Sequence, residues 1–299
     1  MSVELACGEL AFLDLTFAGL DALPERGEER HARDLLRSAG GGAITAIGAA
    51  RLGLGVALVS PLGGDPEGDF LRAALAAEGV LWAGRTVARS AVTAALPDGG
   101  ERTMVTFDPG MELSAAELAA VEPEAVVISL PRVHLVPPGA TFYATVGDAD
   151  ARSGLAATLD GARALIVNER EASLLTGVED AETAARRLAE HTPCAVVTRG
   201  AEGAVAVSGG ELLRVPGIPV NAVDTTGAGD LFTAAYVWAD RRGAPLADRL
   251  RWASLFAALS VRVPTAVAGA SSQAALVAAG ARHGLALPAP TVSIKEEVR

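Results

Sequence analysis

Short apolar runs and stretches of helical spacing take turns along this chain. Runs at 3–6, 56–60, 126–130, 142–146, 164–167 and 195–198 read as buried strands. Between them lie helical stretches. One, 43–52, opens after Gly40-Gly41-Gly42 and stops at Gly53; another runs to Glu78, with Pro66 suited to its first turn. A third carries Leu231, Phe232, Ala235, Tyr236 and Trp238 at helical spacing. A fourth, 250–261, carries Leu250, Ala253, Leu255, Phe256 and Leu259. Strict alternation appears in two places, at 12–17 and over 86–107, where a Pro97-Asp98-Gly99-Gly100 turn suggests a hairpin. No repeat, coiled coil or long linker interrupts the series. The pattern predicts one α/β domain over 1–299 with a mostly parallel central sheet.

Composition narrows the function. The chain has 299 residues, half of them hydrophobic, and 25 basic against 36 acidic residues give a net charge of −11. That balance argues against nucleic acid and anionic membrane surfaces as partners, and favours a small-molecule enzyme. Cys7 and Cys194 make no disulfide framework and no metal cluster, and the N-terminal MSVELACGEL lacks a basic n-region; the expectation is a cytoplasmic protein. The uncharged stretch 263–281 is broken by Pro264, Gly269, Ser271, Ser272 and Gln273. It reads as a loop and a buried helix start rather than a membrane span. The sole lysine is Lys295, so neither a Walker A loop nor a protein-kinase β3 lysine can be present.

The most informative stretch is Asp224-Thr225-Thr226-Gly227-Ala228-Gly229-Asp230. The glycines let backbone amides turn inward at the start of the 231–238 helix, where unpaired N–H groups and the dipole favour an anion. A carboxylate beside such a site repels the anion unless it has a task, and taking a proton during phosphoryl transfer is such a task. The competing reading makes Asp230 a helix N-cap. Elsewhere, Asn168 and Glu171 share a helix face and could orient metal-bound waters, or could cap that helix. Asp14, just past the first strand, could bind neighbouring hydroxyls of a polyol. Arg152, near the end of the 142–146 strand, could meet an acidic group or pair with Asp148 or Asp150. The Gly63-Gly64-Asp65 turn reads equally as a substrate-side loop and as a helix start.

The stretch Asp224–Phe232 matches D-T-[TV]-G-A-G-D-x-F and so resembles the signature of the ribokinase / phosphofructokinase-B family of carbohydrate kinases. Asn168 to Glu171 matches that family's N-x-x-E, and Ala50-Arg51-Leu52-Gly53 its A-R-L-G. The resemblance implies a three-layer α/β/α fold with a small β lid formed by about 10–35 and 84–108. It implies Asp230 as base, with Gly227, Ala228 and Gly229 as an anion hole. Asn168, Thr198, Gly200, Gly203 and Gly229 would bind ATP, and Asn168 and Glu171 would hold Mg²⁺ through water. Asp14, Gly41, Gly42, Thr45, Arg152 and Asp230 would face the acceptor. The carbonyls of Asp224 and Thr226 are the candidates for a monovalent cation, K⁺, as in some relatives. The lid offers a route to a homodimer.

One departure bears on the acceptor. The family's sugar-binding Asn falls at Ile44, or at Thr45 with a shift of one residue. Ile cannot hydrogen-bond a hydroxyl, and Thr has a shorter reach than an amide. An Ile44 facing the acceptor would disfavour ribose. The implied activity is ATP-dependent phosphorylation of a hydroxyl on a small sugar or sugar-like molecule. The alternatives are a nucleoside or vitamin-precursor kinase of the same fold, and a non-catalytic sugar sensor.

Overall fold

Leu5 and Cys7 point into one hydrophobic core and Ala6 into another, all three fully buried. The same alternation recurs in the neighbouring strand, where Ala125 and Val127 join the first core and Val126 and Ile128 the second. A sheet buried on both faces between helical layers follows directly. The structure is a computed structural model that describes residues 3–20, 22–98, 101–155, 159 and 161–287.

The described sheet has nine strands. Their spatial order is Glu211–Val215, Ala204–Ser208, Cys194–Thr198, Ala162–Asn168, Thr141–Thr145, Ala125–Ser129, Leu5–Gly8, Val56–Leu58 and Leu81–Trp82. All neighbours pair in parallel except at the 204–215 edge, where two antiparallel pairings close the sheet. Helices Gly42–Arg51, Pro66–Ala77, Ala228–Arg241, Leu246–Ser260 and Gln273–Arg282 cover one face. Helices Ala115–Ala120, Glu169–Thr176 and Ala181–Leu188 cover the other. The three-layer expectation holds. Parallel pairing has a functional consequence: Gly8, Ser129, Thr145, Asn168 and Thr198 all lie at one edge of the sheet, where ligands of open α/β sheets bind.

A second sheet of four strands stands over that edge, in the order Asp34–Gly41, Ala11–Ala18, Ala91–Asp98, Glu101–Phe107. Its second strand in sequence runs to Gly41, further than the 10–35 segment expected. Gly40-Gly41 reads as a turn, yet both residues finish a strand. A side chain at Gly40 would stand 2.2 Å from the Asp14 carboxylate, and one at Gly41 would stand 2.4 Å from the Leu10 carbonyl oxygen. The glycines are there for close passage of the neighbouring strand. On this sheet Leu35, Val105 and Phe107 are exposed, with the Arg89 guanidinium 4.4 Å from the Phe107 ring centre.

At 63–68 the structure gives the helix start. Asp65 caps helix Pro66–Ala77 by accepting from the Gly68 amide at 2.9 Å, and also accepts from the Ser90 amide at 2.7 Å and hydroxyl at 2.6 Å. Among the described residues no helix is long and apolar enough to cross a membrane. The 263–281 stretch holds helices Ala266–Gly269 and Gln273–Arg282. Gly99, Gly100 and the C-terminal tail with Lys295 lie outside the described residues.

Candidate active site

Gly227 begins the central feature. It caps helix Ala228–Arg241 in the left-handed conformation, φ 67°. A side chain there would also stand 2.4 Å from Ala266 Cβ and 2.8 Å from Ile44 Cδ1, so glycine is required twice over. The Ala228 amide donates to the Thr225 carbonyl at 3.3 Å, and Leu231 to Gly227 at 3.0 Å. No backbone carbonyl among the described residues accepts from the amides of Gly229 and Asp230, which leaves them for an anion. Asp224 shapes the approach. Its carboxylate accepts from the Thr226 amide and hydroxyl at 2.9 and 2.6 Å, and from the Thr265 amide at 2.8 Å. At the far end of the same helix, buried Asp240 is bound by Tyr143 Oη at 2.6 Å, Arg163 at 2.8 Å and Arg249 at 2.7 Å. Both ends of the helix are thereby fixed.

Asp230 lies in the first turn, at the mouth of this amide array. Thr45 Oγ1 donates to its Oδ1 at 3.4 Å. Burial raises the Asp230 pKa well above the ordinary carboxylate range. Glu9 and then Asp14 push it further, the Thr45 bond opposes them, and Glu171 adds to the rise. A carboxyl so placed holds a proton readily, which is what a base in a water-poor site requires. Of the two positions left open by the sequence, Thr45 is the one that meets Asp230. Ile44 is 2 % exposed and packs in the main core beneath Gly227. The expectation of an Ile44 facing the acceptor is corrected: one helical step packs it against Gly227, while Thr45, equally buried, bonds Asp230.

Strand ends and the four-stranded sheet carry the residues expected to face the acceptor. Asp14 is 9 % exposed and lies over Gly40, with no hydrogen bond to its carboxylate from a described residue. Burial, with Asp224 second, pushes its pKa up to about 7. Ser38, Asp14, Thr93 and Thr106 are in register across the four lid strands, and the two threonine hydroxyls bond at 3.0 Å. Gly42 opens the helix that carries Thr45; a side chain there would stand 2.7 Å from Glu9 Cβ. Arg152 is exposed after the one-turn helix Asp148–Ala151, and Asp148 is bound by Arg170.

On the other side of the amide array is a cavity of about 550 Å³. Thr198, Gly200, Gly203, Gly229 and Phe232 line it, together with the 217–222 segment and Ser254. The Gly203 turn packs so closely on Val215 and Gly217 that a side chain would stand 2.1 Å from the Val215 carbonyl oxygen. Asn168 and Glu171 form a reciprocal capping box: each accepts from the other's amide at 2.8 Å. Burial pushes Glu171 up to about 7, with Asp148 adding to the rise. The two side chains together offer a carboxylate and an amide at the end of strand Ala162–Asn168. Among the described residues no three His, Cys, Asp or Glu side chains converge as a metal-ligand set. This donor set fits a Mg²⁺ that keeps most of its own waters.

Fold and site together define a phosphotransferase that uses an alcohol group as acceptor. The model of the pfkB family carbohydrate kinases matches residues 8–141 and 139–273, and the chain belongs to that family. It is 30 % identical over 262 residues to the ribokinase of Bacillus subtilis (strain 168), covering 81 % of this chain and 87 % of that one. It is 31 % identical over 251 residues to the acarbose 7(IV)-phosphotransferase of Actinoplanes sp., covering 78 % and 83 %. The structure of Arabidopsis thaliana ribokinase complexed with ribose and ATP superposes with a TM-score of 0.77 at 25 % identity, covering 93 % of this chain and 98 % of that one. The relatives also include a cytidine kinase of Thermococcus kodakarensis and a nucleoside kinase of Methanothermobacter thermautotrophicus.

Sequence reading missed several residues at the site. Glu9 and Thr145 sit at the carboxyl ends of the two strands that flank Ala125–Ser129, and Thr145 Oγ1 donates to Glu9 Oε1. A polar residue directly after a buried strand is the signal that could have found Glu9. The family resemblance sets the 250–261 helix beside the adenine without singling out Ser254, and the 217–222 segment carries no motif.

Proposed function

We propose that this kinase transfers the γ-phosphoryl group of ATP to a hydroxyl of a small sugar or sugar-like acceptor bound under the lid. One observation carries the reading: Asp230 lies in the first helical turn, beside the amides that no described backbone carbonyl accepts from, and within reach of the Asp14 charge. ATP fits the 550 Å³ cavity with its phosphates toward the amides of Gly229 and Asp230. Asp14 orients the acceptor from the lid, and Asp230 takes the proton of the attacking hydroxyl as the phosphoryl group arrives. The amide array stabilises the charge of the transferring group. Asn168 and Glu171 would hold Mg²⁺ through water, and the ion would neutralise charge on the phosphates.

The Asp224 and Thr226 carbonyls are the proposed ligands for K⁺ beside the amide array. The exposed Leu35, Val105 and Phe107 are the proposed face by which two lids meet in a homodimer. Two free, buried cysteines suit a reducing, cytoplasmic setting. The second reading is a nucleoside acceptor. It is favoured by Thr45, a shorter donor than the amide expected for a sugar site.

The test is a coupled ATP-consumption screen of sugars, polyols, sugar acids and nucleosides, with Asp230→Asn alongside. The variant should bind ATP like the wild type and lose ~10²-fold or more in kcat. Turnover within a few-fold of wild type would remove Asp230 from the role of base. Nucleosides turning over faster than every sugar would select the second reading.

A further inference from the structure

We propose that Arg51 is a positioning residue for phosphoryl transfer: it clamps the 265–270 turn behind Gly227 and so holds the Gly229 and Asp230 amides in place. The proposal rests on the reading of those amides as the anion site. Arg51 ends helix Gly42–Arg51, where an ion pair would be its ordinary task. The ion pair is there: Nε donates to Glu78 Oε2 at 2.9 Å and Nη2 to Glu78 Oε1 at 2.6 Å. The third nitrogen does something else. Nη1 donates to the carbonyls of Val267 and Ala270, both at 2.5 Å, across sequence separations of 216 and 219 residues. The carboxylate fixes the plane of the guanidinium, and the planar fork then aims its free edge at the two carbonyls. Arg51 stands about 9 Å of helix beyond Thr45, the residue that bonds Asp230. It therefore acts through the backbone it holds.

That backbone is poorly able to hold itself. Ala266–Gly269 is a four-residue helix, too short to be stable alone, and its last carbonyls need partners from outside. Thr265, which caps it, has φ 65°, a conformation that a β-branched residue keeps only where its surroundings over-determine it. Two contacts pass from this turn to the anion site. The Thr265 amide donates to Asp224 Oδ2 at 2.8 Å, while Asp224 Oδ1 accepts from the Thr226 amide and hydroxyl, directly before Gly227. Ala266 Cβ closes on Gly227 itself, 2.4 Å from where a side chain would begin. Behind, the turn lies against the end of helix Leu246–Ser260, since a side chain at Gly269 would stand 2.1 Å from the Ser260 carbonyl oxygen. Arg51 supplies the donors that this turn lacks. If they are lost, Thr265 is free to leave its strained conformation, and Asp224 and Gly227 lose the surface they rest on.

The experiment compares wild type, Arg51→Lys, Glu78→Gln, Asp224→Asn and the double variant Arg51→Lys/Asp224→Asn. The substrates are ATP and whichever of D-ribose, D-fructose and cytidine the wild type turns over fastest. Each protein is assayed well below its own unfolding midpoint. Lysine keeps the charge but cannot make four directed bonds. Arg51→Lys should lower kcat about 10-fold or more, within the ~10²-fold that an ångström of misplacement can cost. Its KM values for ATP and acceptor should stay within about three-fold of wild type, because the amides act chiefly on the transferring group. Glu78→Gln still accepts one bond and keeps Nη1 on the carbonyls, so kcat should stay within about two-fold. Equal losses of kcat in Glu78→Gln and Arg51→Lys, or a change in KM alone, would reduce Arg51 to its ion pair and overturn the proposal. Arg51 and Asp224 act through one turn, so the double variant should lose little beyond the worse single one; losses that multiply also overturn it. Amide hydrogen exchange gives a readout that needs no acceptor. In Arg51→Lys it should rise over 224–232 and 263–270 and stay as in wild type over 194–198. Unchanged exchange over 224–232 overturns the proposal. If the wild type turns over no acceptor, the kinase reading fails, and exchange still decides whether Arg51 holds the turn.

Discussion

Thr45 Oγ1 donates to Asp230 Oδ1 across 3.4 Å, joining helix Gly42–Arg51 to the first turn of helix Ala228–Arg241 over a sequence separation of 185 residues. The bond favours the ionised form of Asp230 against burial and the charges of Glu9 and Asp14. Thr45→Val keeps the shape and removes the donor. Asp230 must be ionised to take a proton, so its loss should move the acid limb of the kcat/KM profile to higher pH. It should also lower kcat/KM near neutrality about 10-fold, the worth of one hydrogen bond to a charged group. Thr45→Ser should restore both. A pH–rate profile of Thr45→Val that overlays the wild type would show that the bond does not tune the base.

Asp14 makes a prediction about stability against pH. Its carboxyl titrates at about 7 in the folded chain, through burial and then Asp224, against about 3.9 when unfolded. Between those values the folded state binds more protons than the unfolded state, so stability falls as pH rises from about 4 to about 7. Asp14→Asn removes this slope. It should match wild type near pH 4 and be more stable by roughly 1–3 kcal/mol at pH 8, while acceptor KM rises steeply. Glu171, also raised to about 7, has the same sign and leaves part of the slope in place. Urea titrations of both proteins at the two pH values give the comparison.

Gly227→Ala addresses the amide array. The added methyl group meets Ala266 Cβ and Ile44 Cδ1 in a backbone conformation that alanine disfavours. The expected loss is about 2–4 kcal/mol in unfolding free energy, from the left-handed φ and from overpacking together. Turnover should fall even where the variant remains folded, because relief of the clash must shift the Gly229 and Asp230 amides. Gly229 has no heavy atom within 4 Å of the corresponding position, so Gly229→Ala should cost little stability.

The capping box separates two roles of Asn168 and Glu171. Asn168→Ala removes a helix cap and should cost about 1 kcal/mol. Glu171→Gln still fits a capping box and should leave stability nearly unchanged. If the pair also orients the waters of Mg²⁺, Glu171→Gln should still raise the Mg²⁺ concentration needed for half-maximal rate. A metal titration identical to wild type would leave the pair with the helix cap alone.

The sequence determined the fold class and the family signature, because both depend on local pattern. Buried runs such as 126–130 and 195–198 specify strands through their own side chains, and the anion turn at 227–229 is fixed by glycines that allow a left-handed cap. The lid was legible only in part: the strand Asp34–Gly41 ends in residues that read as a turn, and their glycines answer to Asp14 and Leu10 on another strand. Tertiary structure alone decided which of Ile44 and Thr45 meets Asp230, since one helical step of about 100° sets Ile44 against Gly227 and Thr45 against the carboxylate, both buried. It alone brought Glu9 and Thr145 together from strands separated in sequence, and it alone gave Asp65 to a helix cap. A sequence lists the groups able to accept a proton or hold a charge. Their desolvation and their neighbours, which set what they do, arise only when distant strands end side by side.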